Sequence, residues 1–220
     1  MKIVVVSPHF DDGVLSCWTL IDGPAEVTVL TVFTEGPDRP GFVAEWDADT
    51  GVDSATRMKR RAEENRDALA LASRQPVDLG AREGIYGGGS VDPDELRPHL
   101  AGADAVYVPA GVGVEQINRE HIVVRDACIS VRGDCRFYAD QPYSLFRGNT
   151  ELPPGLAPGL ARRVVTLGGD RRSRKAHAIA CYAGEVAKLE SAFGSITQPE
   201  RLRHEVFWYQ GAASDEEQRA

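Results

Sequence analysis

The stretch KIVVVSPHFDDGVLS, residues 2–16, decides the fold. Its first part, KIVVVS, is a dense β-branched run without polar alternation, which is typical of a strand buried on both faces of a parallel sheet. A proline interrupts the run, and His9, Asp11 and Asp12 follow before a short predicted helix at 13–20. Because ligands of such sheets bind beyond the carboxyl ends of the strands, this segment is also the first candidate for a functional site.

The rest of the chain alternates strand and helix patterns, which predicts βαβ units and a mostly parallel sheet. Further strands are predicted at 26–33, 77–82, 104–109, 134–138, 163–167 and 204–209, and further helices at 54–73, from Pro93 after an Asp92 cap, at 118–131 and at 171–193. Residues 34–53 lack periodicity and predict a long loop, of a kind that is usually functional or mobile. We expect a single α/β domain over 1–210, with a doubly wound sheet that carries helices on both faces, and a disordered polar tail at 211–220.

Composition excludes several classes of function. The 220 residues include 25 Lys and Arg against 33 Asp and Glu, a net charge of −8, which disfavours a nucleic-acid partner. No apolar run approaches the roughly 20 residues that cross a bilayer, and we expect no membrane partner and no signal peptide. The four cysteines show no CxxC spacing, which favours reduced thiols in a cytoplasmic protein.

The residues after the first strand predict a metal site. His9 and Asp12 are three positions apart, which places both side chains on one side of a first helical turn. Imidazole nitrogen and carboxylate oxygen suit a divalent metal such as zinc. Asp11 would then lie near the metal rather than on it, where a general base is needed. The alternative is that the two aspartates only cap the helix and interact with its positive end.

A third candidate ligand is His121, at the start of a helix that follows another predicted strand. Its side chain could reach the same rim of the sheet as His9 and Asp12. Two histidines and one carboxylate leave room for water or substrate, as in catalytic zinc sites, and they also suit ferrous iron. The alternative for His121 is a surface histidine at a helix N-terminus, and His99, His177 and His204 are interpreted as solvated or packing residues.

These segments resemble the PIG-L/LmbE-like family of metal-dependent N-deacetylases. PHFDDGVLS, starting at residue 8, is similar to the family's His-x-Asp-Asp motif, and NREHIVVRDA, starting at residue 118, to its His-x-Asp-His motif. Weaker similarities follow in the family's order: KRRAEENRDALALA, REGIYGG, FYADQPY and the spacing of Lys175, Ala178 and Tyr182. Together they span residues 2 to 209.

The resemblance implies a Rossmann-like fold and a zinc ion held by His9, Asp12 and His121. It implies that Asp11 acts as general base in hydrolysing the N-acetyl amide of an amino sugar or related small-molecule glycoside. The family's basic substrate-binding residue corresponds to Arg60 or Arg61, between which the sequence does not choose. Glu83 stands where an aspartate often contacts substrate.

The chain departs from the family at several positions. Asn118 replaces the first histidine of His-x-Asp-His; its amide can donate a hydrogen bond to an oxyanion but cannot titrate. Glu120 replaces the aspartate of that motif, and its longer side chain must fold back to orient a ligand. YAGE at Tyr182 to Glu185 departs from the family's Tyr-x-Ser-Gln.

Two other functions stay open at this point. One is a hydrolase of another amide, a carbamate or an ester with the same metal and base. The other is a degenerate, non-catalytic binding protein, which the loss of the histidine at Asn118 would favour. We also expect that the chain can form a homo-oligomer, but the sequence does not give the number of subunits.

Overall fold

The computed structural model describes residues 1–114, 117–147, 151–152, 156 and 159–210. The predicted tail at 211–220 lies outside these residues. The described chain forms a seven-stranded sheet in the order β3-β2-β1-β4-β5-β7-β6. The strands are β1 (Lys2–Ser7), β2 (Glu26–Glu35), β3 (Pro76–Arg82), β4 (Ala105–Pro109), β5 (Arg136–Tyr138), β6 (Ala161–Thr166) and β7 (His204–Tyr209).

The first five strands pair in parallel, whereas β7 runs antiparallel to both β5 and β6. The predicted single-domain, Rossmann-like α/β fold with a mostly parallel sheet is confirmed. Strand order reverses at β1, which lies between β2 and β4. A crevice at such a reversal is where ligands bind in open α/β sheets, so the segments after β1 and β4 lie at the favoured position.

Helices cover both faces of the sheet. They are α1 (Asp12–Ile21), α2 (Ser54–Ala70), α3 (Pro93–Leu100), α4 (Glu120–Val131), α5 (Tyr143–Arg147), α6 (Gly169–Ala180) and α7 (Ala183–Phe193). Alternate residues of β1 point to opposite faces: Val5 joins the core under α1, α2, α6 and α7, and Val6 the core under α3 and α4. Among the described residues, no helix is both long and apolar enough to cross a bilayer.

The prediction of one helix at 171–193 is wrong, because α6 ends at Ala180 and α7 begins at Ala183. Tyr182 leaves helical geometry with φ −86° and ψ 52°. Its ring is buried, and its hydroxyl donates a 2.8 Å hydrogen bond to Oδ1 of Asn65 on α2. The break therefore comes from a contact with a distant helix, and local sequence carries no proline or glycine at the breaking residue.

Two short 3₁₀ turns, Glu45–Asp47 and Gly84–Tyr86, lie in the loops after β2 and β3. The hydroxyl of Tyr86 donates a 2.8 Å hydrogen bond to Oδ2 of Asp47, and both residues are buried. The predicted loop at 34–53 thus has an internal turn that is fastened to a neighbouring loop.

Candidate active site

The predicted metal ligands meet at the carboxyl edge of the sheet. His9 lies two residues beyond β1, Asp12 begins α1, and His121 lies on α4, which follows β4. All three side chains are buried, and one ligand atom from each lies within 4.8 Å of the other two. The predicted convergence of these residues, far apart in sequence, is therefore present in the fold.

The distances at this cluster fit a tetrahedral cation. Nδ1 of His9 lies 3.0 Å from Oδ2 of Asp12, and Nε2 of His121 lies 3.4 Å from the same oxygen. Ligand atoms around a tetrahedral zinc with bonds of about 2.0–2.1 Å are roughly 3.3 Å apart. The nitrogens and the oxygen are therefore spaced as zinc ligands are.

Carboxylates fix the other nitrogen of each histidine. Oδ1 of Asp140 lies 2.7 Å from Nδ1 of His121, and Oε2 of Glu120 lies 2.8 Å from Nε2 of His9. Nε2 of His121 is buried and has no hydrogen-bond partner among the described residues. A buried ring nitrogen that faces two other ligand atoms while a carboxylate holds its opposite nitrogen is the arrangement of a metal-ligating histidine.

The helix-capping alternative does not account for the aspartates. Asp11 is the N-cap residue of α1, but its side chain makes no capping hydrogen bond. Oδ2 of Asp12 accepts a 2.8 Å hydrogen bond from the backbone N–H of His9. The carboxylate of Asp12 is thus committed to the His9 segment.

The electrostatics of the cluster separate its two adjacent aspartates. Burial, reinforced by the charges of Asp12 and Glu185, raises the pKa of Asp11 to about 7. Burial also acts on Asp12, but the nearby His121 and His9 outweigh it and lower the pKa of Asp12 to about 2. Asp12 therefore stays ionised, whereas Asp11 titrates near neutral pH, in the range that suits a general base.

Both histidines favour their protonated forms. Burial lowers the pKa of His9, but its hydrogen bonds to Asp12 and Glu120 raise it well above the usual value. Burial acts likewise on His121, where the charge of Asp12 and the hydrogen bond to Asp140 raise the pKa. A cation at this point would have to displace those protons.

A pocket of about 400 Å³ opens over the cluster. Asp11 and Asn118 line it beside His9 and Asp12, and its wall includes Glu120. Asn118 is half-buried, and its side chain hydrogen-bonds with the hydroxyl of Tyr143. The cluster can thus be reached by a small molecule.

The inner wall of the pocket carries ion pairs. Nη1 of Arg61 lies 2.6 Å from Oε1 of Glu83, and its Nε lies 3.5 Å from Oε1 of Glu185. Arg57 pairs with that same carboxylate at 2.9 Å. These four side chains are buried, and their two guanidinium groups balance their two carboxylates in charge.

The structure separates the two arginines that the sequence left open. Arg61 lines the pocket, as does Glu83, whereas Arg60 lies on the exposed face of α2. Adjacent residues of a helix point about 100° apart, so only one of the pair can face the site. Of the two arginines that the sequence offered, Arg61 is therefore the one positioned at the pocket, and Arg60 is not.

Sequence reasoning did not single out Asp140, Tyr143 or Glu185 as site residues, although Asp140 holds His121 and the other two line the pocket. The signal for Asp140 and Tyr143 was the segment FYADQPY, which starts in β5 and ends at the same edge of the sheet as β1 and β4. Glu120 was expected to fold back if it orients a ligand, and its Oε2 does reach Nε2 of the candidate ligand His9.

Comparison of the sequence with family models gives no match, and neither does comparison with curated proteins. Solved structures do match. The zinc-inhibited form of the teicoplanin deacetylase Orf2 is 22% identical with a TM-score of 0.77, covering 98% of this chain and 100% of that one. N,N'-diacetylchitobiose deacetylase from Pyrococcus horikoshii is 15% identical with a TM-score of 0.55, covering 84% and 70%.

The same fold also occurs with another activity. GalB, the 4-carboxy-2-hydroxymuconate hydratase from Pseudomonas putida KT2440, is 13% identical with a TM-score of 0.58, covering 97% of this chain and 98% of that one. Fold likeness at these identities does not choose between the activities. The resemblance to the PIG-L/LmbE-like deacetylases is therefore confirmed at the level of the fold, which this chain shares over nearly its whole length with a teicoplanin deacetylase.

Proposed function

We propose that the chain is a zinc-dependent hydrolase that removes an N-acetyl group from a small molecule containing an amino sugar. The observation that carries the proposal is the buried Nε2 of His121, which has no hydrogen-bond partner among the described residues and lies 3.4 Å from Oδ2 of Asp12. Together with His9, these residues offer three ligands and leave the pocket side open. Such an open three-ligand set is typical of catalytic zinc.

The donor set fits the metal, and the rest of the chemistry is assigned to the chain's own side chains. Zinc held by His9, Asp12 and His121 would lower the pKa of a water ligand to about 7 and act as a Lewis acid toward the acetyl carbonyl. Asp11, which lines the pocket beside the cluster, takes the proton of the attacking water and passes it to the leaving amine as the C–N bond breaks.

Asn118 and the inner wall are assigned to substrate. The amide of Asn118 donates a hydrogen bond to the developing oxyanion, as the family's histidine would, but without titrating. Arg61 and Glu83 are assigned to hydrogen-bond sugar hydroxyls, and this assignment is supported by their position in the lining of the pocket. The deacetylase neighbours, one of them named for diacetylchitobiose, support an N-acetylated amino sugar as the substrate class.

The test is acetate release from N-acetylglucosamine conjugates, measured with stepwise zinc addition because a zinc-inhibited form of one neighbour exists. Asp11→Asn should lower kcat by roughly 10²- to 10⁴-fold and keep the metal, since its carboxylate is not a ligand. His121→Ala should lose stoichiometric metal. An exposed aspartate on α6 provides the matched control Asp170→Asn, which should behave as the unmodified protein.

The same experiment separates the alternatives. Release of longer acyl groups, or turnover of carbamates and esters but not of acetamides, would replace the deacetylase proposal with the broader hydrolase. Stoichiometric zinc without turnover of any acyl compound would favour the binding protein that the loss of a histidine at Asn118 suggests. Elemental analysis decides between zinc and ferrous iron, which the same donor set accepts.

The pH–rate profile tests the role of Asp11 separately. With Asn118 unable to titrate, Asp11 is the only proposed proton-transfer residue of the chain. A basic limb at a histidine pKa that persists in Asn118→Ala would contradict this assignment.

The four cysteines are free, which supports a cytoplasmic location as part of the proposal. Self-association and the absence of nucleic-acid partners stay predictions from the sequence.

A further inference from the structure

A buried ion pair, of which the proposed mechanism makes no use, joins the last strand of the sheet to α6. Nζ of Lys175 on α6 lies 2.6 Å from Oε1 of Glu205 on β7, and neither side chain is exposed. An ion pair in a protein core stabilises the fold little more than an apolar pair of the same size, because both charges lose their hydration. Stability alone therefore does not account for this pair.

The carboxylate of Glu205 joins two parts of helix α1. Cys17 departs from helical geometry with φ −131° and ψ 25°, which divides the helix at that residue. The backbone N–H groups of Trp18 and Thr19, which follow the break, donate hydrogen bonds of 2.8 and 2.9 Å to the two oxygens of the carboxylate. These oxygens replace the carbonyl acceptors that an unbroken helix would supply. The angle between the two parts of α1, and with it the position of Asp12 at the start of the first part, depends on Glu205.

Lys175 extends this network to the segment after β5. Besides its contact with Glu205, Nζ of Lys175 donates a 3.3 Å hydrogen bond to Oε1 of Gln141. Nε2 of Gln141 in turn donates a 2.8 Å hydrogen bond to the carbonyl of His204. The backbone N–H of Gln141 donates a 3.1 Å hydrogen bond to Oγ of Ser16, on the first part of α1. Both the side chain and the backbone of this buried residue are therefore held in place.

Gln141 directly follows Asp140, the residue that holds His121. The carbonyl of Asp140 accepts a 2.8 Å hydrogen bond from the backbone N–H of Ser144, so both polar groups of the peptide unit between Asp140 and Gln141 have partners. Oδ1 of Asp140 lies 2.7 Å from Nδ1 of His121. A displacement of Gln141 would therefore move this carboxylate and turn the imidazole that it holds.

We infer that Lys175, Glu205 and Gln141 are positioning residues for the candidate metal cluster. Their side chains are buried in the core and are not among those that line the pocket. Glu205 acts on Asp12 through the break in α1. Gln141 acts on His121 through the adjacent aspartate, and Lys175 joins these two arms. This inference rests on the metal site of the proposed function and adds residues that act on its geometry from the core.

The first test cuts the network without removing a charge. Gln141→Met preserves the length of the side chain and leaves the ion pair intact, but it removes the hydrogen bond from Lys175. Zinc affinity, measured by competition with a chelating dye, should fall by roughly 3- to 10-fold, against roughly 10- to 100-fold for loss of a direct partner of a ligand. A zinc affinity equal to that of the unmodified protein would overturn the inference.

The second test separates positioning from stability. Lys175→Met combined with Glu205→Gln removes both charges, so part of the stability lost in Lys175→Met alone should return. Zinc affinity should stay lowered, because an amide oxygen replaces only one of the two oxygens that hold α1.

Leu69→Ala is the matched control for a loss of stability. Leu69 is fully buried one residue before the end of α2, which returns to the edge of the sheet opposite the cluster. The smaller side chain should lower the Tm and leave zinc affinity unchanged. A zinc affinity that falls together with the Tm in all variants, this control included, would mean that the network only stabilises the fold and would overturn the inference.

A measurement on the chelator-treated protein makes the result independent of zinc. An ionised carboxylate only accepts hydrogen bonds, so Nδ1 of His121 carries the proton of its contact with Asp140. The exchange of this ring proton with water, followed by NMR, should be faster in both network variants than in Leu69→Ala and the unmodified protein. Faster exchange in a protein that binds no zinc would support the positioning role and overturn the proposed metal site. Zinc binding with equal affinity and equal exchange in all variants would overturn the positioning role alone.

Discussion

Oδ1 of Asp140 lies 2.7 Å from Nδ1 of His121, and this contact turns the opposite ring nitrogen toward Asp12. Oδ2 of the same carboxylate accepts a 2.9 Å hydrogen bond from the backbone N–H of Val112. Asp140 therefore ties a histidine on α4 to the loop after β4 and determines which nitrogen of that histidine is free to bind metal.

Asp140→Asn should weaken zinc binding by roughly 10- to 100-fold, because the amide cannot hold the imidazole as the carboxylate does. Competition with a chelating dye measures the affinity directly. Asp170→Asn, on the exposed surface of α6, should leave it unchanged. Equal affinities for the Asp140 and Asp170 variants would mean that His121 does not depend on this contact.

Glu120→Ala should also weaken zinc binding, by less than Asp140→Asn. Glu120 holds Nε2 of His9 at 2.8 Å and accepts from the backbone N–H of Gly84. Its side chain is partly exposed, so water can replace part of the lost contact, whereas Asp140 is fully buried. The same dye competition provides the measurement, and a larger loss than for Asp140→Asn would reverse the assigned ranking.

The metal-free protein should lose stability as pH rises above about 6.5. The pKa values of His9 and His121 are raised in the folded state, so their protonation stabilises the fold below the unfolded pKa of about 6.5. This contribution is lost as pH rises through the folded pKa values. The pKa of Asp11 is raised to about 7, so its protonation also stabilises the folded state, and this contribution is lost as the pH rises from about 4 to about 7.

Thermal melting of the chelator-treated protein at pH values from about 6 to about 9 should therefore show a Tm that falls as the pH rises. Saturating zinc should reverse the slope, because the ligands bind metal only when deprotonated. His99→Ala, at an exposed position on α3, should keep both trends. A Tm of the metal-free protein that rises with pH would contradict the expected protonation of the cluster.

Lys175→Met should destabilise the protein by roughly 3–5 kcal/mol, since it leaves a buried carboxylate without its cation. Nζ of Lys175 lies 2.6 Å from Oε1 of Glu205, and both side chains are fully buried. Glu205 also accepts from the backbone N–H groups of Trp18 and Thr19, where α1 is kinked. Urea unfolding measures the change, and adding Glu205→Gln should recover part of it; no recovery would show that the charge pair is not the cause.

The strand runs were sufficient to predict the sheet, because buried parallel strands are continuous in apolar residues and β1, β2 and β4 follow that pattern. Which side chains of α2 face the protein interior could not be predicted. Its buried face carries Arg57, Arg61 and Asn65 at intervals of four, whereas amphipathicity assigns charged residues to solvent. These arginines are buried because Glu83 and Glu185, which are distant in sequence, neutralise their charges. Such long-range ion pairs cannot be predicted from a single sequence.

The cluster of candidate metal ligands was predictable, because His9 and Asp12 are close in sequence and the strand pattern places His121 at the same edge. Their carboxylate partners were harder to predict. Asp140 follows a strand of three residues, and Glu120 contacts a histidine 111 positions away. Contacts of this kind depend on the packed sheet, not on spacing along the chain.

The break between α6 and α7 has a consequence for how the pocket is assembled. It leaves α7 free to turn Glu185 and Lys188 toward Trp46, so a wall formed by the first quarter of the chain is completed by its last. Residues from both ends of the sequence must therefore be in place before this side of the pocket is complete.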